Sequence, residues 1–135
     1  MGKKKIDYKL LEKDTQAWNK FKHNFIKNTL RRATYRWPSK TICKNNAKKD
    51  YALYECSDCK KVFSPSLIEI DHIVPVSSVK TGFVDWNDFI DRLFVTSDKM
   101  QVLCINCHEL KSQIENTIRR ENGLKEERRK KRKKK

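Results

Sequence analysis

Asp71 and His72 stand side by side in an otherwise apolar run, Ile70-Asp71-His72-Ile73-Val74-Pro75. A Cys-x-x-Cys pair lies on either side of it, Cys56/Cys59 before and Cys104/Cys107 after, and His108 follows the last cysteine directly. Four thiolates in two such pairs make the tetrahedral sulfur cage that zinc favours in structural sites. Between Cys59 and Cys104 lie 44 residues, far more than a simple zinc ribbon carries. The zinc is therefore expected to staple together the two ends of an inserted unit. Four buried, metal-free thiols are the alternative, and the repeated short spacing argues against it. Cys43 falls outside the pattern and reads as an ordinary thiol.

Neighbouring side chains on a regular strand leave opposite faces. At a strand end the backbone turns, and both can serve one site, one on a metal and the other on a water. Asp71 and His108 as a ligand pair leave coordination positions open for water and phosphate. Histidine as a residue type ordinarily changes charge near neutrality, and His72 suits general-base work. Lys111, one helical turn after His108, either supports a phosphate or is a solvated surface residue.

These residues need elements to hold them. Apolar positions recur at helical spacing from about Asp14, with Leu11, Trp18, Phe21, Phe25 and Leu30 on one face. Lys20, Lys22, Lys27, Arg31 and Arg32 are distributed around the rest and are the candidate contacts to phosphates. Pro38 stops this helix, and Ser39 is placed to cap a shorter one through about Lys48. Residues 51–55 read as a short strand into the first cysteine knuckle, and 67–73 as the strand that carries Asp71 and His72. Asp85 can cap a helix to about Phe94 that buries Trp86, Phe89, Ile90 and Leu93. A second strand, 100–103, leads into the second knuckle. A helix then starts near Cys107, its buried stripe expected at Leu110, Ile114, Thr117 and Ile118, and ends by Gly123.

Charge is segregated. Residues 1–50 hold 15 Lys/Arg against 4 Asp/Glu, residues 51–123 hold 8 against 11, and residues 124–135 hold 9 against 2. A slightly acidic middle between two basic flanks is the footprint of a polyphosphate partner; a merely solubilising charge is the plainer alternative. No run is long enough for a membrane span, and the first residues lack the apolar core of a signal peptide. An intracellular location is expected. There, paired cysteines bind metal more often than they form disulfides.

The stretch from Glu69 to Pro75, followed by Leu103-Cys104-Ile105-Asn106-Cys107-His108-Glu109-Leu110-Lys111-Ser112, resembles the zinc-containing HNH endonucleases, especially the small phage type. The resemblance covers about residues 50–115, and the segment 86–101 is also similar to the phage members. It implies an α+β chain with a nuclease domain over 51–123 whose small ββα-metal core is stapled by a four-cysteine zinc site; the charge pattern adds a basic helical extension over 1–50 and a basic tail over 124–135 that is either a disordered arm or a helical extension formed on a polyanion. The resemblance implies metal-dependent hydrolysis of DNA, with a structural Zn2+ on Cys56, Cys59, Cys104 and Cys107. Asp71 and His108 would ligate a catalytic Mg2+ or Mn2+, with Ni2+ or Zn2+ as alternatives, and His72 would be the general base. In one respect the sequence departs from the family. Lys99 stands where the family carries the asparagine that helps orient the base, so Asp98 or Asn87 would have to substitute, or Lys99 would contact phosphate. Two other readings stay open: a non-catalytic zinc module that binds nucleic acid, and a nuclease subunit active only within a phage packaging or recombination assembly. The oligomeric state is open as well.

Overall fold

The structure is a computed structural model and describes residues 2–127. The expected tail lies outside the described residues from position 128 onward. The protein is a small mixed α/β chain that divides into two compact units between Arg36 and Trp37.

In the first unit two aspartates start the helices. Asp7 accepts hydrogen bonds from the backbone N–H of Lys9 and Leu10 and caps α1 (Tyr8–Glu12). Asp14 accepts from Ala17 and caps α2 (Thr15–Ala33). Each carboxylate satisfies N–H groups that the first turn leaves unpaired and faces the positive end of the helix dipole. The rings of Tyr8, Trp18, Phe21 and Phe25 form one cluster: Phe21 lies 5.8 Å from Tyr8, 5.8 Å from Trp18 and 6.1 Å from Phe25, centroid to centroid. This is the aromatic face that helical spacing anticipates. No residue of α2 is fully buried, and Lys20, Lys22 and Arg32 are exposed.

In the second unit Pro38 starts a helix as well as following one. It is the first residue of α3 (Pro38–Ala47), where its missing N–H costs nothing. Trp37 occupies the cap position, and Ser39, expected to be the cap, is buried within the first turn. The Trp37 indole N–H donates to the Val95 carbonyl at 2.7 Å, and its ring meets Phe94 edge-on at 5.2 Å. Although α3 belongs by composition to the basic N-terminal stretch, Cys43 from it shares a core with Tyr54, Ile68, Met100 and Val102.

Two small antiparallel sheets follow. β1 (Tyr54–Glu55) pairs with β2 (Val62–Phe63) around the first cysteine knuckle. β3 (Ile68–His72) pairs with β4 (Met100–Cys104), in a register that sets Ile70 opposite Val102 and Asp71 opposite Gln101. Between them α4 (Trp86–Leu93) starts at Asp85, whose carboxylate accepts from the Asp88 N–H at 2.7 Å. It buries Phe89 and Leu93, while Ile90, expected inside, stays exposed. Burying a side chain such as Phe89 contributes about 1.5–3 kcal/mol. α5 (Ile105–Glu121) follows β4 without a loop, its N-cap being Cys104 itself.

The period of two gives the β3–β4 sheet two unlike faces. Ile68, Ile70, Met100 and Val102 line one, which packs on α3. Glu69, Asp71, Gln101 and Leu103 line the other. Only Leu103 on that second face is apolar, and the stripe of α5 turned to it is polar too. The expected buried stripe of α5 is corrected here: Leu110 is 56% and Ile114 55% exposed, and the buried residue of the helix is Arg119 at 4%. Carboxylates on a sheet face are better satisfied by histidine, lysine and arginine than by leucine, so the helix is rolled to present His108, Lys111, Glu115 and Arg119. Gly123 takes φ +70°, the left-handed conformation that ends a helix. Beyond it residues 124–127 run back along α5, where Asn116 and Glu127 exchange two hydrogen bonds.

Candidate functional site

The cysteine cage is built by local hydrogen bonds at each end and one link between them. In the first knuckle the Cys56 N–H donates to the Lys61 carbonyl and the Lys60 N–H returns to the Cys56 carbonyl, with Lys60 at φ +62° closing the turn. In the second the Cys107 N–H points at the Cys104 sulfur at 3.4 Å. The Ser57 N–H donates to the Val102 carbonyl at 2.8 Å and ties the first knuckle to β4. The four sulfurs lie within 4.8 Å of one another, with Cys59 Sγ 4.0 Å from Cys104 Sγ. A tetrahedral zinc with bonds of about 2.3 Å sets its sulfurs about 3.8 Å apart, so the cluster can hold a structural metal such as zinc. Without a metal, protonation of the crowded sulfurs is uneven. Burial raises Cys56, but backbone hydrogen bonds at Cys104, Cys59 and Asp58 outweigh it and bring the thiol to about 7. Cys107 is pushed far up, first by its hydrogen bond with Cys104 and then by burial. A dication relieves that competition by taking all four as thiolates.

One turn into α5, His108 reaches back onto the polar face of β3. Its Nε2 lies 3.3 Å from Asp71 Oδ1, and its Nδ1 lies 2.6 Å from Glu69 Oε2. The second approach is out of line for a ring N–H bond, so Nδ1 has close charge contact without an aligned hydrogen-bond partner. Asp71 and then Glu69 raise His108 to about 9 against the opposing effect of burial. Burial raises Asp71, but hydrogen bonds from His108, Gln101 and Lys111 outweigh it and hold the carboxyl below its ordinary range. Lys111 Nζ sits 3.0 Å from Asp71 Oδ2 and 2.5 Å from Glu115 Oε1, and donates to the His72 carbonyl at 3.1 Å. Burial lowers Lys111, but the Glu115 and Asp71 carboxylates leave it raised.

Of the expected site residues, Asp71 and His108 are thus brought together, and His72 is not in their cluster. It still lies within β3, paired with Met100, and its ring leaves the opposite face, as strand alternation requires. There its Nε2 lies 2.8 Å from the Leu93 carbonyl at the end of α4. A carbonyl only accepts, so Nε2 is the donor in this contact. Lys99, expected near the site, has an exposed side chain. Its carbonyl accepts from the Ile73 N–H at 3.0 Å and fixes the chain leaving β3. Asp98 accepts from the Thr96 hydroxyl and Asn87 is exposed, while the His72 ring meets the Leu93 carbonyl.

Three contributors escape sequence reading. Glu69 could have been found, since two residues before Asp71 on a strand is the same face. Gln101, whose amide donates to Asp71 Oδ2 at 3.1 Å, needs the strand register. The Leu93 carbonyl carries no signal in residue type at all. No helix among the described residues is long and apolar enough to cross a membrane. No protein-family model, no curated protein and no solved structure matches this chain.

Proposed function

We propose that this chain is a zinc-stapled, metal-dependent DNA endonuclease of the HNH type with a ββα-metal core formed by β3, β4 and α5. The observation that carries the reading is the division of labour at β3: Asp71 meets His108 on one face, and the adjacent His72 is locked by the Leu93 carbonyl on the other. Two ligands at right angles, each about 2.1 Å from a small octahedral ion, stand about 3.0 Å apart. The 3.3 Å between Asp71 Oδ1 and His108 Nε2 is close to that bite. Asp71 and His108 would hold a divalent ion such as Mg2+ or Mn2+, which would supply Lewis-acid stabilisation of the phosphate and of the departing oxygen.

His72 Nδ1 takes a proton from the attacking water, while the Leu93 carbonyl fixes the tautomer and stabilises the imidazolium that forms. The Lys/Arg-rich α2 and the basic tail supply affinity for the DNA backbone, with Lys20, Lys22, Lys27, Arg31 and Arg32 as the contacts on α2. A non-catalytic zinc module is the second reading, favoured by Lys111 lying against Asp71 where a catalytic ion would compete for the carboxylate.

Supercoiled plasmid incubated with the full chain and Mg2+ or Mn2+ should convert to nicked or linear forms, not in chelator and not with His72→Ala. A His72→Ala protein as fast as the parent would remove the general base from the mechanism. Tight DNA binding without ion-dependent cleavage would favour the second reading.

A further inference from the structure

We infer that Lys111 and Gln101 hold Asp71 to ligation through a single oxygen, and so set the centre's preference for a small divalent ion over calcium. The inference rests on the nuclease reading and goes beyond it to the choice of metal. Asp71 is only 12% exposed, and its two oxygens have different surroundings. Oδ1 faces His108 Nε2 at 3.3 Å. Oδ2 receives the Gln101 amide at 3.1 Å and Lys111 Nζ at 3.0 Å.

Both donors are themselves held. Gln101 is fixed by strand register opposite Asp71. Lys111 is bound by Glu115 Oε1 at 2.5 Å and by the His72 carbonyl at 3.1 Å. Glu115 lies 3.9 Å from the Arg119 guanidinium, which bonds Asn116 Oδ1 at 2.9 Å. Lys111 is thus the middle of a row of alternating charges along the inner face of α5, and its ammonium is engaged by three oxygens. Turning the Asp71 carboxylate to offer both oxygens to one ion would break donors from two separate elements. Calcium readily takes a carboxylate through both oxygens at about 2.3–2.6 Å, whereas Mg2+ takes single oxygens at about 2.0–2.1 Å in near-octahedral geometry. Occupying Oδ2 therefore disfavours the larger ion. Lys111 and Gln101 act through Asp71 and are positioning residues.

Removing the lysine charge alone would tighten every dication, so the readout is the ratio of affinities and not either affinity. Zinc-loaded full chain, without DNA, is titrated calorimetrically with MnCl2 and with CaCl2. Parent, Lys111→Met, Gln101→Met and Asp71→Asn are compared, with zinc content and thermal melting checked for each. The parent is expected to bind Mn2+ better than Ca2+ at a site that Asp71→Asn abolishes. Lys111→Met should shift the ratio toward Ca2+ by about tenfold or more, the size of outer-shell effects on metal centres. Gln101→Met, which leaves the charge intact, should shift it the same way. An unchanged ratio with both ions tightened equally in Lys111→Met would overturn the inference and leave the lysine as a point charge. If Lys111→Met melts below the assay temperature, Gln101→Met decides alone, and an unchanged ratio there overturns it equally. Absence of an Asp71-dependent Mn2+ site in the parent would defeat the nuclease reading itself.

Discussion

Stripping the metal from the four-cysteine cage is expected to unfold most of the chain after Trp37 at temperatures where the loaded protein is intact. The magnitude follows from the loop the metal closes. Cys59 and Cys104 bracket 44 residues. Treating the metal as a cross-link, the chain entropy it removes from the unfolded state is worth about 4 kcal/mol for a loop of that length. For a unit of this size each kcal/mol moves the melting temperature by about 4–8 °C, so a loss of roughly 15–30 °C is expected. The sulfur-centred cluster has little else to hold it, because its fully buried members are Cys56, Leu103 and Cys104. The assay is thermal melting followed by circular dichroism, with and without a zinc chelator under reducing conditions, and with metal content measured on the same samples. Cys59→Ser is the sharpest variant: Cys59 is exposed, so the substitution removes a ligand while disturbing little packing. Chelated protein, shown to be metal-free, that melts within about 5 °C of the loaded form would refute the cross-link argument.

Plasmid cleavage by His72→Ala should fall by about 100- to 10,000-fold, the usual contribution of a general base, with DNA affinity close to that of the parent in a filter-binding or anisotropy titration. Cys43 is buried in the α3 core and burial raises its thiol, so in zinc-loaded protein it should react slowly with a thiol reagent at pH 8. Its rate should climb only as pH passes the ordinary thiol value, because the thiolate is the nucleophile; rapid labelling at pH 7 would contradict its placement. Replacing exposed Lys20 and Lys22 with alanine should weaken DNA binding alike across sequences and reduce the salt-dependence slope by up to about 2, measured as log affinity against log salt.

What could be read from the sequence follows the range of the interactions involved. Asp14 and Asp85 cap helices through bonds to residues three positions on, and that local chemistry shows in residue type and spacing. The cysteine cage is legible for the same reason, since each half is a four-residue unit. Leu110 and Ile114 mark where local reasoning stops. Their spacing describes a real apolar stripe, but which stripe of α5 is buried is decided by the sheet it meets. That sheet offers Glu69, Asp71 and Gln101. The charged stripe therefore goes inward, and periodicity, which assumes an apolar partner, names the wrong side. Lys99 illustrates the converse. It differs from the residue that the resemblance called for, yet its carbonyl serves whatever side chain it bears, and the His72 ring is bonded by a carbonyl six positions earlier in the chain.

Cys104 is at once the last residue of β4, the cap of α5 and a member of the cage. Its place late in the chain gives the molecule a clock. Synthesis at about 5–20 residues per second puts roughly 2–10 s between the appearance of Cys59 and that of Cys107. During that interval the first knuckle is a two-thiol half-site and β3 has no partner strand. Asp71 lacks both His108 and Lys111. The polar face of β3 is therefore assembled in one late event, when β4, the second knuckle and the start of α5 emerge together.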